Sequence, residues 1–328
     1  TFFDGNTFDN FRFRNKDIMK IHESRVQDLY LDRELNIWVA SSQAGLARVT
    51  PSRKIIWYNH LFPRGEQFIS VAGANDGTIL VGCLTGLYRL DGEKVTRVIR
   101  DTTSMWSIRK VFPDEKGNRI FVATYNKGLL EISGNNFIQH FNSEIPTSNN
   151  VFGFLHDSKN NFWVGTADGL YILQGNRYQR DQKVGLPPER LVYLILEDHR
   201  GNLWFGTDDG VFRWDHKKLV HFNARDGFSG PDVNRDAGFV DSQNNIWFGT
   251  NQGITRIHPD FDRVLDGIPP PEINFDSLVT SEGKQPLDGD ISLPYDQNTL
   301  EFYFSSISFL DQKRHKIICM LEPYDNKW

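Results

Sequence analysis

Residues 197–214 read EDHRGNLWFGTDDGVFRW, and close relatives of this stretch recur through most of the 328-residue chain. Superposed on the glycine that precedes a short apolar segment, six copies fall at Gly45, Gly86, Gly128, Gly169, Gly210 and Gly253. The steps between them are 41, 42, 41, 41 and 43 residues. That period is the length of one four-stranded propeller blade. The repeat therefore predicts an all-β fold, a β-propeller with six recognisable repeats and six or seven blades.

Each repeat divides into an innermost, a second, a third and an outer strand. Residues 191–197 form an almost continuous apolar run, which suits an innermost strand covered on both faces. In the turn that follows, Asp198 can accept backbone N–H bonds and Gly201 supplies a positive φ. The Gly201 position holds Gly77, Gly117, Asn160 and Asn244 in other repeats, all residue types that tolerate left-handed backbone. Leu35 stands there in the first repeat, so that turn is expected to be distorted or of another type. The second strand carries Trp204-Phe205-Gly206-Thr207, matched by Trp38, Leu80, Phe121, Trp163 and Trp247 with a small residue two places on. A large ring followed by a small residue lets twisted neighbouring blades interlock. The recurring tryptophan reads as core rather than as a sugar platform.

Residues 3–11 align without gaps on residues 214–222, so the first residues resemble the end of a repeat. The last repeat shows no outer strand after Ile257. Residues 7–13 are expected to supply it and close the ring; the alternative is a seven-bladed ring with one blade incomplete. The periodicity stops near the proline-rich residues 268–271, which sets the expected domains at 1–267, the propeller, and 268–328. The second holds alternating segments, PEINFDSLV, DISLPY, NTLEFYFSSISF and KIICMLE, that suit part of an immunoglobulin-like β-sandwich. Four strands fall short of the about seven of a whole such domain, so this one reads as truncated.

A net charge of -5 and dispersed lysines and arginines leave no footprint for nucleic acid. No stretch approaches the length of a membrane-spanning helix, and no signal peptide is present at Thr1. Cys83 and Cys319 make no zinc spacing and are expected to be two buried thiols. The nine histidines show no HxH or HExxH, so neither metal nor other cofactor is expected. Glycoside hydrolysis needs two carboxylates at a defined separation, and no pair stands out among the 42 acids. The turn aspartate lies three residues before its glycine, unlike the two of sialidase Asp-boxes. This region therefore reads as a binding module rather than an enzyme, with a protein-binding scaffold and a propeller lyase or hydrolase as alternatives.

A ligand is expected on the face formed by the second-to-third-strand loops and the connections into the innermost strands, which converge near the central channel. Loops 42–44 and 125–127 are one residue longer than their counterparts, and repeat insertions collect on functional faces. Tyr125, Asn126 and Lys127 are thus candidates, with Tyr125 either stacking on a sugar or lying at the rim. Trp106 replaces the polar Asn150 or Arg190 of other repeats and is a second stacking candidate or a core residue. Arg235 and Asp236, set against Val192 and Tyr193 of the preceding repeat, bring charge to the channel lining. Either a structural ion pair or a polar ligand would account for them. Asp168, Arg190, Asp208 and Asp209 on short loops complete the candidate set; the aspartates could accept sugar hydroxyls or simply shape turns.

The pattern D-x-x-G-N-x-W-x-G-T-x-x-G-L, as in residues 198–211, and Leu186-Pro187 before the innermost strand resemble the two-component-regulator propeller repeats. Residues 293–298, 300–309 and 321–328 resemble the Y_Y_Y domain that follows those repeats, although Ile317, Ile318, Cys319 and Pro323 depart from its pattern. This resemblance covers nearly the whole chain. It implies the periplasmic sensor region of a Bacteroidetes-type hybrid two-component histidine kinase, part of an inner-membrane protein. An upstream propeller, a downstream transmembrane helix, kinase and DNA-binding output, a homodimer, an oligosaccharide ligand and control of transcription are what such a family implies.

Overall fold

Every repeat folds as an antiparallel meander running outward from the channel. The computed structural model describes residues 2–3, 8–9, 25–99, 107–114, 118–134, 136–140, 144–175, 177–258, 272–281, 283–285, 292–294, 299–306, 319–320 and 322. The innermost strands are Val26–Leu31, Phe68–Gly73, Ile108–Asp114, Val151–His156, Val192–Glu197 and Val233–Val240. The first five blades have four strands in sequential order, and the sixth has three described strands ending at Gly253–Ile257. The chain divides into two compact units, Thr1–Pro259 and Asp260–Trp328. Among the described residues, no helix is long and apolar enough to cross a membrane.

The repeated aspartate, asparagine and tryptophan form one hydrogen-bonded unit. Asp198 Oδ1 accepts the backbone N–H groups of Arg200 and Asn202, both at 2.9 Å. Its Oδ2 accepts the Asn202 amide and the Trp204 indole N–H, again at 2.9 Å. Asp32 with Trp38, Asp157 with Trp163 and Asp241 with Trp247 repeat the arrangement. A buried indole needs a partner for its N–H, so this aspartate is both turn former and partner to the core. The second and third blades lack the tryptophan, having Leu80 and Phe121 there. In the third blade Asp114 instead binds Arg119 at 2.8 Å and pairs with His156 of the fourth blade at 2.9 Å.

Leu35 does not distort its turn. It takes a left-handed φ of 61°, beside 79° at Gly201, and its N–H reaches the Asp32 carbonyl at 3.0 Å as that of Gly201 reaches Asp198. The surrounding hydrogen bonds hold a leucine where glycine is the easier choice.

Blades interlock through the small residue of the second strand. A Cβ at Gly206 would lie 2.9 Å from Val233 Cγ1 on the next blade, and one at Gly165 would lie 2.6 Å from the Val192 carbonyl oxygen. Trp38, Trp163 and Trp204 are core, whereas Trp247 is half-buried: Trp204 stacks on Phe222 and lies 6.0 Å from Phe248 of the next blade.

Among the described residues, the first and last blades each present an exposed apolar face. Leu46, Leu87, Leu129, Leu170 and Val211 are buried, whereas their counterpart Ile254 in the sixth blade is 60% exposed. Leu29 of the first blade is likewise 60% exposed where Val71, Val111, Phe154 and Ile195 are buried. Of residues 7–13, expected to supply the missing outer strand, only Phe8 and Asp9 lie among the described residues. Phe8–Asp9 pairs instead with Phe2–Phe3, and the pairing of Phe3 with Phe8 matches that of Trp214 with Leu219 in a third-to-outer hairpin. The turn-rich residues between these strands favour a local hairpin over a long-range closure.

In the second unit, Gly283–Gln285, Ile273–Thr280 and Glu301–Ser306 form one antiparallel sheet with the long strand central. Residues 292–294 carry no strand, and of the expected KIICMLE strand only residues 319–320 and 322 are described, none of them in a strand. Cys83 is buried, where desolvation pushes its thiol far up, but Cys319 is exposed rather than buried.

Candidate functional site

The innermost strands share a β-bulge near their start, and that bulge builds the channel wall. Val26, Phe68, Ile108, Val151 and Val192 pair with the end of the second strand; one residue is then skipped before pairing resumes. The skipped residues are Gln27, Ile69, Arg109, Phe152 and Tyr193. A bulge re-aims the extra side chain out of the regular alternation, and four of these five line a cavity of about 1040 Å³.

The sixth blade departs from this arrangement. Val233 pairs with Thr250 as Val192 pairs with Thr207, but pairing next resumes at Gly238. The bulge is enlarged to include Asn234, Arg235 and Asp236, which absorbs the longer spacing between Gly210 and Gly253. This corrects the expected alignment: Val233, not Arg235, occupies the Val192 position. Asp236 takes a φ of 54°, and the Asn234 amide donates to the Thr250 carbonyl at 2.9 Å.

Two groups of side chains meet in the cavity. In the first, the Arg109 guanidinium lies 4.8 Å from the ring centroids of both Tyr125 and Phe152. Arg235 lies 4.8 Å from the same Phe152 ring and 5.8 Å from Tyr193. Burial pulls Arg109 down to about 10, and the Arg235 charge adds to the shift. Burial also raises Tyr193, with the Asp208 carboxylate reinforcing it.

The second group ties together the first, second, third and sixth blades. Asp28 Oδ1 accepts from Lys110 Nζ at 2.7 Å and from the Leu29 N–H at 2.9 Å. Its Oδ2 accepts from Ser70 Oγ at 2.8 Å and the Val71 N–H at 2.9 Å, while Ser70 Oγ accepts the Val111 N–H at 3.1 Å. Burial opposes the Lys110 charge, but Asp236 and Asp28 outweigh it and raise the pKa. Asp236 retains some surface toward the channel yet is closely surrounded by protein. Its carboxyl is pushed up to about 6 by burial, which Lys110 only partly offsets and the Asp28 charge reinforces.

Of the candidates read from the sequence, the structure brings Tyr125, Arg235 and Asp236 into this cavity. Asn126, with a φ of 62°, turns the same loop and donates its N–H to Asn150 Oδ1, and the Lys127 carbonyl accepts from Gln139; neither lines the cavity. Asp168 is committed to Tyr171 and Arg180. Arg190 forms a separate group, 3.7 Å from Asp208 and 3.4 Å from Asp209. Trp106 lies outside the described residues. Sequence reasoning missed Asp28, Arg109, Lys110, Phe152 and Tyr193. A charge within an innermost strand, the signal that selected Arg235, was equally present at Asp28 and Lys110. Among the described residues, no cluster of three or more His, Cys, Asp or Glu could hold a metal ion.

A propeller whose innermost bulges surround a charged and aromatic channel is the class of protein that this geometry defines. Residues 185–209 match the family model described as two component regulator propeller, so the fifth blade carries that family's repeat. The fold is similar to a structure described as the extracellular domain of a hybrid two component system, BT3049 from B. thetaiotaomicron, at 20% identity and a TM-score of 0.69. That alignment covers 85% of this chain and 40% of the other. A second such domain, BT4673 from the same organism, aligns at 22% identity and a TM-score of 0.51 over 77% of this chain and 39% of that one. This chain thus spans about two fifths of either. Virginiamycin B lyase from Staphylococcus aureus shares the fold at 13% identity and a TM-score of 0.57, over 74% of this chain and 80% of the lyase. No curated protein matches the chain.

Proposed function

We propose that this chain is part of the periplasmic sensing region of a hybrid two-component receptor and that it binds an oligosaccharide in the channel. The observation that carries the reading is the cavity of about 1040 Å³ in which Tyr125, Phe152 and two arginines converge. Aromatic faces beside planar hydrogen-bond donors are what a sugar ring needs: apolar C–H surface on one side, hydroxyls and charged groups at its edge. The family repeat in the fifth blade and the likeness to extracellular sensor domains support the sensor part of this reading.

Signalling follows from where the ligand sits. Five of the six innermost strands contribute to the cavity lining, so a bound sugar would bias the arrangement of the blades it touches. Transmission to a membrane helix and kinase in the whole receptor, as a homodimer, requires that one arrangement bind better than another.

A thermal-shift screen of oligosaccharides followed by calorimetry tests this. A ligand at about 100 times its Kd should stabilise the fold by roughly 2.7 kcal/mol. The hit should be lost in Tyr125→Ala, and because Tyr125 is exposed the variant should melt close to the parent. A hit unchanged by both Tyr125→Ala and Arg235→Ala would place the site elsewhere.

A further inference from the structure

Among the described residues the channel holds two guanidiniums with no ion-pair partner, although the Asp236 carboxylate feels the Arg235 charge. Lys110 is committed to Asp28 at 2.7 Å, whereas Arg109 and Arg235 have no carboxylate at ion-pair distance among the described residues. Both guanidiniums lie 4.8 Å from one ring, that of Phe152, and the Arg109 Nε is buried with no hydrogen-bond partner. The two charges sense each other, since Arg235 adds to the lowering of Arg109, and like charges repel unless something neutralises them. The rings of Phe152, Tyr125 and Tyr193 cover guanidinium faces through cation–π contact. That leaves the N–H edges to point at an in-plane acceptor, and a guanidinium edge matches the paired oxygens of a carboxylate or sulfate.

We propose that the channel is selective for acidic saccharides, with a uronate carboxylate or sugar sulfate held between Arg109 and Arg235 and the sugar ring against Tyr125. This rests on the sugar-binding reading of the same cavity. A neutral sugar would displace channel water without neutralising either guanidinium, so it gains little where an acidic one gains charge-assisted hydrogen bonds. Burial already disfavours the Arg109 charge, lowering it to about 10, and an anion relieves that burden.

Calorimetry of the 328-residue chain with trigalacturonate, a sulfated disaccharide and neutral galactotriose tests the inference. At least one acidic sugar should bind, and which one separates carboxylate from sulfate recognition. Its Kd should weaken by about tenfold or more in Arg235→Gln and Arg109→Gln and by less in Arg235→Lys, which keeps the charge but not the fork. Affinity should also fall as salt is raised. Arg235 is exposed, so Arg235→Gln should melt as the parent does and keeps the test valid even if Arg109→Gln is unstable. Galactotriose binding as tightly as the acidic sugars, or an Arg235→Gln protein with undiminished affinity, overturns the acidic assignment while leaving the sugar site standing. Failure of all three to bind overturns both readings.

Discussion

The first five blades and the sixth treat the same point of the innermost strand differently. In the five, one residue is skipped and pairing resumes at once; in the sixth, the bulge grows to take in Asn234, Arg235 and Asp236. The regular blades spend their repeated positions on packing: tryptophan against aspartate, glycine against the next blade. The irregular one brings a guanidinium onto the aromatic rings of its neighbours and a carboxylate beside Lys110. Packing is written where the repeat is kept, and the broken repeat adds Arg235 and Asp236 to the charges that Asp28, Arg109 and Lys110 bring from regular blades.

The largest effect that can break this comparison is in the regular part. Trp204→Ala should lose about 3–5 kcal/mol, since it removes a fully buried ring and leaves Asp198 short of one partner. Trp247→Ala should lose about half as much, because the ring sits half-buried on a blade with an exposed apolar face. Chemical denaturation of both variants decides it. Equal losses would mean that the sixth blade is packed like the rest.

Next in size is Asp28→Ala, expected to cost about 3 kcal/mol in the same assay because it leaves Lys110 partly buried and unpaired. A loss below about 1 kcal/mol would show that Lys110 transfers its pairing to Asp236, making the enlarged bulge a structural device as well.

How much of this was legible follows from repetition. The strands, the aspartate turns and the core tryptophans could be read because each occurs several times, so one copy checks another. The cavity could be read only in part. Superposition on Gly210 and Gly253 shows that the last spacing is longer but not where the extra residues lie, which is why Arg235 was set against Val192 instead of in the bulge. Phe152 was missed because a bulged residue looks like any other member of an apolar strand until pairing shows it skipped, whereas Arg109, like Lys110, carried the same charge signal as Arg235. Asp168 looked like Asp208, yet its neighbour Arg180 reaches it from the outer strand and takes it out of play.

Acidity sharpens the comparison at the irregular blade. Asp236 titrates at about 6 in the fold, against about 3.9 unfolded. The folded state therefore holds this proton more tightly, and the contribution of Asp236 to stability falls as pH rises from about 4 to 6, then stays level. Channel water screens the charge, so the penalty above pH 6 is about 1–2 kcal/mol. Asp236→Asn keeps a residue that tolerates the left-handed backbone. It should be more stable than the parent by that amount at pH 7.5 and equal to it below pH 4. An advantage that persists below pH 4 would assign the effect to something other than the charge.

Not every break in the repeat carries chemistry, and the smallest prediction separates the two kinds. Leu35 departs from Gly201 and its equivalents as plainly as Asp236 departs from the single-residue bulges, and both hold positive φ. Leu35, however, is exposed, keeps every hydrogen bond of its turn and lies outside the channel lining. Leu35→Gly should relieve about 1 kcal/mol of backbone strain, partly offset by a more flexible unfolded chain, for a net gain of about 0.5 kcal/mol with ligand binding unchanged. A net loss would carry a different meaning. Leu29 and Leu31 on the same blade are also exposed, so a loss in Leu35→Gly that is matched in Leu35→Asn, which tolerates the same backbone without glycine's entropy, would point to cover over this apolar face.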